Sequence, residues 1–302
     1  MISRTQCISP ATGTLLAIFS FFQPATAAES FPQIPQSQSQ SQIQADTIAW
    51  LLQLSGMSAQ IDALPSAVIL SFERSLRFGA LPGIFQNIDI PALSAALAEE
   101  FNSERLHASL VLQLDADLSG EDVRSLARFY QSESGQEVSE AEVRNSILTN
   151  ADRFAHWYDD HGIRSLTPAR SRVIDELERA LQATEAAVDT LIGMQVALQV
   201  ALTPALPPEQ RLDAEQLIIA ARSQRAQLTR EYHGSSLETL AFVFQDSSVD
   251  TLQKFTAMLN TAAGQRYVRA VNLGLSRGML DAANALGQSM TPIVAQRNGL
   301  GV

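Results

Sequence analysis

Two stretches of this chain align without a gap. SGEDVRSLARFYQSESGQEV (119–138) matches SVDTLQKFTAMLNTAAGQRY (248–267) at a constant offset of 129 residues. Ser119 meets Ser248. The apolar Val123, Leu126, Phe129 and Tyr130 meet Leu252, Phe255, Met258 and Leu259. Ser132 meets Thr261, and Gly135-Gln136 meets Gly264-Gln265. At the same offset Leu52-Gln53 meets Leu181-Gln182. One long offset that serves an apolar face, capping hydroxyls and a glycine together points to duplication. The chain then reads as two related units in tandem, 46–165 and 166–297, the second a diverged repeat, with a tail at 298–302.

The units are expected to be all-α, as αα-hairpin bundles. Only 15 glycines and 12 prolines occur in 302 residues, and 46% of the chain is apolar. That composition favours helix and supplies a core. Apolar periodicity predicts helices near 46–63, 66–78, 91–117, 120–131, 133–161, 168–202, 208–245 (broken near His233-Gly234), 248–260 and 262–291. Turn signals fall at Leu64-Pro65, at GALPG (79–83), from His161-Gly162 to Thr167-Pro168, and at TPALPP (203–208). No stretch alternates as a strand does.

The repeated stretch reads as the corner of an αα-hairpin. Val123, Leu126 and Phe129/Tyr130 make one buried face, and Ser132 suits the N-cap of the next helix. Thr261 does the same in the second copy. Gly135 and Gly264 follow three residues after the cap, where the missing side chain lets two helices approach. The motif set Phe129, Tyr130, Ser132, Gly135, Gln136, Thr261, Gly264 and Gln265 is therefore expected to be architecture.

These residues also carry a resemblance. LARFYQSESGQE is similar to the signature hydrophobic–Phe-Tyr-x-Ser-x-x-Gly-Gln/Lys of the bacterial exported family called domain of unknown function 2059. LLQLSGMSAQID (51–62) resembles that family's leading Leu-Leu-x-Leu-Ser/Thr-Gly helix. The resemblance covers 46–165 directly. Glu133 and Ala262 stand where the family often has proline, and Met258-Leu259 replace the aromatic pair in the second half. The resemblance implies an exported helical protein and no particular activity.

The N-terminus agrees with export. Arg4, the apolar TLLAIFSFF (14–22) and the small residues ATAA (25–28) have the order of a signal peptide. Cleavage is expected after Ala27 or Ala28, releasing the chain into the periplasm. The polar ESFPQIPQSQSQSQIQ within 29–45 reads as a flexible linker. The only cysteine, Cys7, lies in the signal segment, so the mature chain is expected to have no thiolate ligand or nucleophile. A net charge of −11 without a basic run argues against nucleic acid and anionic lipid as partners. No transmembrane span is expected in the mature chain: AAVDTLIGMQVALQVAL (186–202) is apolar nearly all round but short and interrupted, and reads as a core helix, a cavity wall or an interface.

Two constellations resemble metal sites. In DADLSGED (115–122), Asp115, Asp117, Ser119 and Gly120 take the first, third, fifth and sixth places of an EF-hand loop, but Leu126 stands where the bidentate glutamate belongs. Ser119 with Asp122 also makes a capping-box start. In HWYDDHG (156–162), His156, Asp160 and His161 converge only if the helix ends there. Both read better as helix ends than as ligand sets. There is no Gly-x-Ser-x-Gly elbow, and there are only four histidines, His107, His156, His161 and His233. No catalytic residue and no cofactor is assigned. The expected role is non-catalytic binding of a protein partner or a small apolar ligand through helix faces. The alternative is a hydrolase or metal-dependent envelope enzyme with its site between the two halves.

Overall fold

The computed structural model describes residues 40–77, 90–145, 150–160, 162–205 and 214–297. The signal segment, the start of the linker, His161 and the tail lie outside them. The described residues are helical throughout, with connecting turns and no strand among them. In chain order the helices are α1 (Gln40–Leu54), α2 (Met57–Arg77), α3 (Ile90–Glu100), α4 (Ser103–Asp117), α5 (Gly120–Tyr130), α6 (Glu133–Arg144), α7 (Ala151–Asp160), α8 (Pro168–Leu181), α9 (Ala183–Leu202), α10 (Ala214–Val243), α11 (Val249–Leu259) and α12 (Ala262–Arg297). Helix α1 starts inside the stretch read as linker.

Helix α5 shows why the local sequence suffices for many of these elements. Ser119 accepts from the Asp122 backbone N–H, and the Asp122 carboxylate accepts from the Ser119 N–H at 3.0 Å. Two orphan donors are satisfied reciprocally, which starts the helix at Gly120. Val123, Leu126, Ala127 and Tyr130 then bury one stripe. In α11 the cap is Ser248, and the buried stripe is Leu252, Phe255, Thr256 and Leu259, the same register 129 residues later.

The expected boundaries shift where tertiary packing overrides a local signal. The span 91–117 divides because Asn102 accepts from the Arg105 N–H at 2.9 Å and starts α4. The span 133–161 ends its first helix at Asn145, a fully buried residue that donates to the Val243 carbonyl at 2.8 Å. The span 168–202 divides at Gln182, which takes a left-handed conformation with φ 53°. The buried Glu178 carboxylate then accepts from both the N–H and the hydroxyl of Thr184, capping α9 from the previous helix. In the other direction, α2 continues through Pro65 and α10 through Gly234. Ile61, Leu64 and Ala67 are buried on either side of the proline, and Tyr232 and Ser236 beside the glycine. That burial outweighs the roughly 1 kcal/mol propensity cost of an internal glycine.

Among the described residues a small apolar cluster at Ala187, Val188 and Tyr232 joins α9 to α10, and two larger cores each draw on both segments of the chain. The larger unites α1–α5 with Ala270, Leu275, Met279, Ala283, Leu286 and Met290 of α12. The other unites Val138 and Ala141 of α6 with α8, the end of α10, and α11. Phe129 and Met258, equivalent at the offset of 129, pack partly against both cores. The longest helix pairings are α12 with α9 and α12 with α4. The Gly274–Gly278 pair lies in the second of these. A Cβ on Gly274 would come within 2.9 Å of the Leu110 Cα, so glycine is what permits the backbone approach. By length and composition α9 is apolar enough to cross a membrane. It packs along α12 and α10, with Gly193 close against Leu280.

Candidate functional site

Among the described residues the metal look-alikes are not assembled. Asp117 accepts from the Gln113 side chain at 2.8 Å, while Ser119 and Asp122 are engaged in the α5 cap. Asp115 is exposed on the last turn of α4. The His156 ring nitrogen Nδ1 lies 2.7 Å from the Asp152 carbonyl one turn back in α7, and Asp160 is exposed. Among the described residues no group of three or more His, Cys, Asp or Glu side chains is placed to hold a metal ion.

The signature residues form two corners of matching geometry. Ser132 Oγ accepts from the Gly135 N–H at 3.2 Å and donates to the Phe129 carbonyl at 2.6 Å. Thr261 Oγ1 accepts from the Gly264 N–H at 3.0 Å and donates to the Met258 carbonyl at 2.7 Å. The Gln265 amide donates to the Leu259 carbonyl at 3.0 Å, and Gln136 reaches the Gln131 carbonyl at 3.3 Å. The reason for glycine is closer to home than an approach of two helices. A Cβ on Gly135 would lie 2.6 Å from the Tyr130 Cα and nearer still to the Phe129 carbonyl oxygen. The helix start is folded back onto the end of the helix before it.

Behind the first corner lies a buried polar cluster that no sequence signal announced. Tyr130 and Tyr267 meet edge to face, with ring centroids 6.4 Å apart. The Tyr267 hydroxyl donates to Ser55 Oγ at 3.2 Å. Glu142 is buried to 2% exposure, and its Oε2 has no hydrogen-bond partner. Burial pushes its carboxyl well above the usual range. Burial likewise raises both tyrosines, Tyr130 with a further contribution from Tyr267 and Glu142. A second buried node joins Glu178, Thr184 and Ser236, with the His233 ring 3.8 Å from Glu178. Ser236 is 1% exposed, and its hydroxyl is engaged with Thr184, so the node serves to cap α9.

Among the described residues, two clefts open to solvent stand out. One, of about 360 Å³, runs beside α5 between Glu121, Arg124, Arg128 and Gln131. The other, of about 300 Å³, lies where α7, the turn 162–167, the start of α8 and the end of α10 meet. Trp157, Leu166 and Ala241 give it an apolar lining, and Ser165, Thr167, Arg170 and Gln245 a polar one. Its aromatic wall is packed from behind: Trp157 meets Phe242 edge-on at 5.6 Å, and Phe154 stacks on Trp157 at 6.1 Å. Arg170 is fixed by donating to the Ser247 carbonyl at 2.8 Å and to the Phe244 carbonyl. Its guanidinium caps the C-terminal carbonyls beyond α10, where a cation suits the helix dipole. In the sequence neither Trp157, inside HWYDDHG, nor Arg170 carries a signal of its own for this cleft, because the cleft joins elements from both segments.

No family model, no curated protein and no solved structure matches the chain.

Proposed function

We propose that this is an exported, non-catalytic helical binding protein of the periplasm. It seats a small apolar ligand, or an apolar side chain of a protein partner, in the cleft at Trp157. The observation that carries the reading is that cleft: a packed aromatic wall beside apolar Leu166 and Ala241, rimmed by a few polar groups. Ligand sites commonly combine these features, and about 300 Å³ is at the small end of their range. Export is supported by the signal-like residues 1–28 and by the resemblance of the 51–62 and 127–138 stretches to the exported family named above. The tandem arrangement proposed for that family's unit is supported by the matching corners at Ser132 and Thr261.

Titration with 8-anilinonaphthalene-1-sulfonate, an aromatic probe with one anionic group, tests the cleft. Saturable binding that quenches Trp157 and is lost in Trp157→Ala, with the melt otherwise retained, is the expected result. Trp50 is 6% exposed in the core and provides an internal reference. Equal probe binding by wild type and Trp157→Ala would remove the cleft as the site.

A further inference from the structure

The contacts between the two segments are reciprocal. Glu137 of α6 accepts from the Ser248 N–H at 3.1 Å and from Thr251 Oγ1 at 2.7 Å, gripping the cap of α11. Arg266 of α12 donates to the two Asp122 carboxylate oxygens at 3.1 and 2.5 Å, gripping the cap of α5. The offset of 129 carries Glu137 onto Arg266, Ser119 onto Ser248 and Asp122 onto Thr251. The two grips therefore occupy the same positions with their partners exchanged. This is the pattern of an isologous interface, in which residue i meets j and j meets i. The Arg266 guanidinium, by its hydrogen bond above all, holds the Asp122 carboxyl down at about 2.

The cores repeat the exchange. Helix α12 runs along α4 in the core of the first segment as well as along α9 of its own, whereas α6 and α7 lie against α10 in the core of the second. Helix α4 and the later part of α10 are equivalent at the same offset. Both crossings start at the glycine corners, where Gly135 and Gly264 pack directly on the end of the preceding helix. Ser109 of α4 also donates to the Gly274 carbonyl of α12 at 2.9 Å, so the crossing helix is held by polar as well as apolar contact.

We propose that the chain is a duplicated helical unit whose two copies have exchanged their C-terminal segments. Each half is the binding partner of the other: the groove on α3 and α4 takes α12, and the face of α10 and α11 takes α6 and α7. The connection through 161–167 is then dispensable for assembly. It joins two halves that each complete the other's core, as two protomers do after domain swapping.

The experiment uses the full chain with a specific protease site inserted between the exposed Arg164 and Ser165, in a Cys7→Ser background. Its uncut melt must match wild type. It also carries the pair Ser109→Cys and Gly278→Cys. The Ser109 Cβ lies 3.3 Å from where a Cβ on Gly278 would sit, slightly under the usual disulfide spacing of about 3.5–4.5 Å, and the flexible end of Leu106, 2.9 Å from that Cβ, must move aside. After cleavage the fragments are expected to elute together at the size of the uncut chain. On a non-reducing gel they are expected to run as one band that reductant splits in two. Fragments that part into two folded species overturn the proposal. So do fragments that stay together yet never cross-link between positions 109 and 278, because α12 would then not occupy the groove on α4.

Discussion

Gly135→Ala adds a single methyl group, and the corner has no room for it. The new Cβ would stand 2.6 Å from the Tyr130 Cα, with the Phe129 carbonyl oxygen closer still. Carbon atoms prefer separations of about 3.5–4.0 Å, so the corner must open by about 1 Å. Neither neighbour is a flexible side-chain end, so rotamer changes give no relief. Three hydrogen bonds close that corner: Ser132 N–H to Phe129 O at 2.9 Å, Ser132 Oγ to Phe129 O at 2.6 Å, and Gly135 N–H to Ser132 Oγ at 3.2 Å. Losing two or three of them costs about 1 kcal/mol each. Alanine returns about 1 kcal/mol of helix propensity. The net loss is about 1–2 kcal/mol, which for a chain of this size lowers Tm by about 2–8 °C. Thermal melts followed by circular dichroism measure it, with exposed Glu140→Ala on the same helix as the control. Gly264→Ala should fall by a similar amount, since its Cβ would stand 2.6 Å from the Leu259 oxygen. A Gly135→Ala Tm equal to or above wild type would refute the corner mechanism, because propensity alone would then decide.

Two further outcomes rest on buried or strained single residues. Glu142 has a folded-state pKa raised by burial above its unfolded value of about 4.5. The folded protein therefore holds that proton more tightly, and the stability this adds is full below about 4.5 and lost as pH rises through the raised folded value. Glu142→Gln should match wild type in urea midpoint at pH 4 and exceed it at pH 8; a midpoint below wild type at pH 8 would show that the carboxylate makes favourable contacts when ionised. Gln182 is a non-glycine residue at φ 53° and ψ 35° whose side chain makes no capping bond. Gln182→Gly should relieve about 0.5–1 kcal/mol of left-handed strain and raise Tm by a few degrees; an unchanged or lower Tm would mean that the side chain holds the α8–α9 joint.

Much of the fold was legible because much of it is local. A serine or threonine hydroxyl reaches an N–H three residues on without help from the rest of the chain. Ser119, Ser132, Ser248 and Thr261 could therefore be read as helix starts, and all four cap. The stripe at 123, 126, 127 and 130 could be read as a buried face for the same reason. Local signals failed where distant burial overruled them. Pro65 and Gly234 interrupt nothing because their helices are anchored on both sides, and Gln182 breaks a helix without any glycine because the Glu178 carboxylate caps the next one.

The sequence alone determined that the chain is helical, where its best-capped helices begin, and that two stretches 129 residues apart share one pattern. Only the tertiary structure decided which faces meet. A periodic apolar stripe states that a helix buries one side, but it carries no record of the surface that covers it. Whether α12 lies on α10 or on α4 depends on Gly274 meeting the backbone at Leu110, 164 positions earlier in the chain. The cleft at Trp157 follows from the same choice, since its walls join residues of both segments and exist only once those faces have found each other.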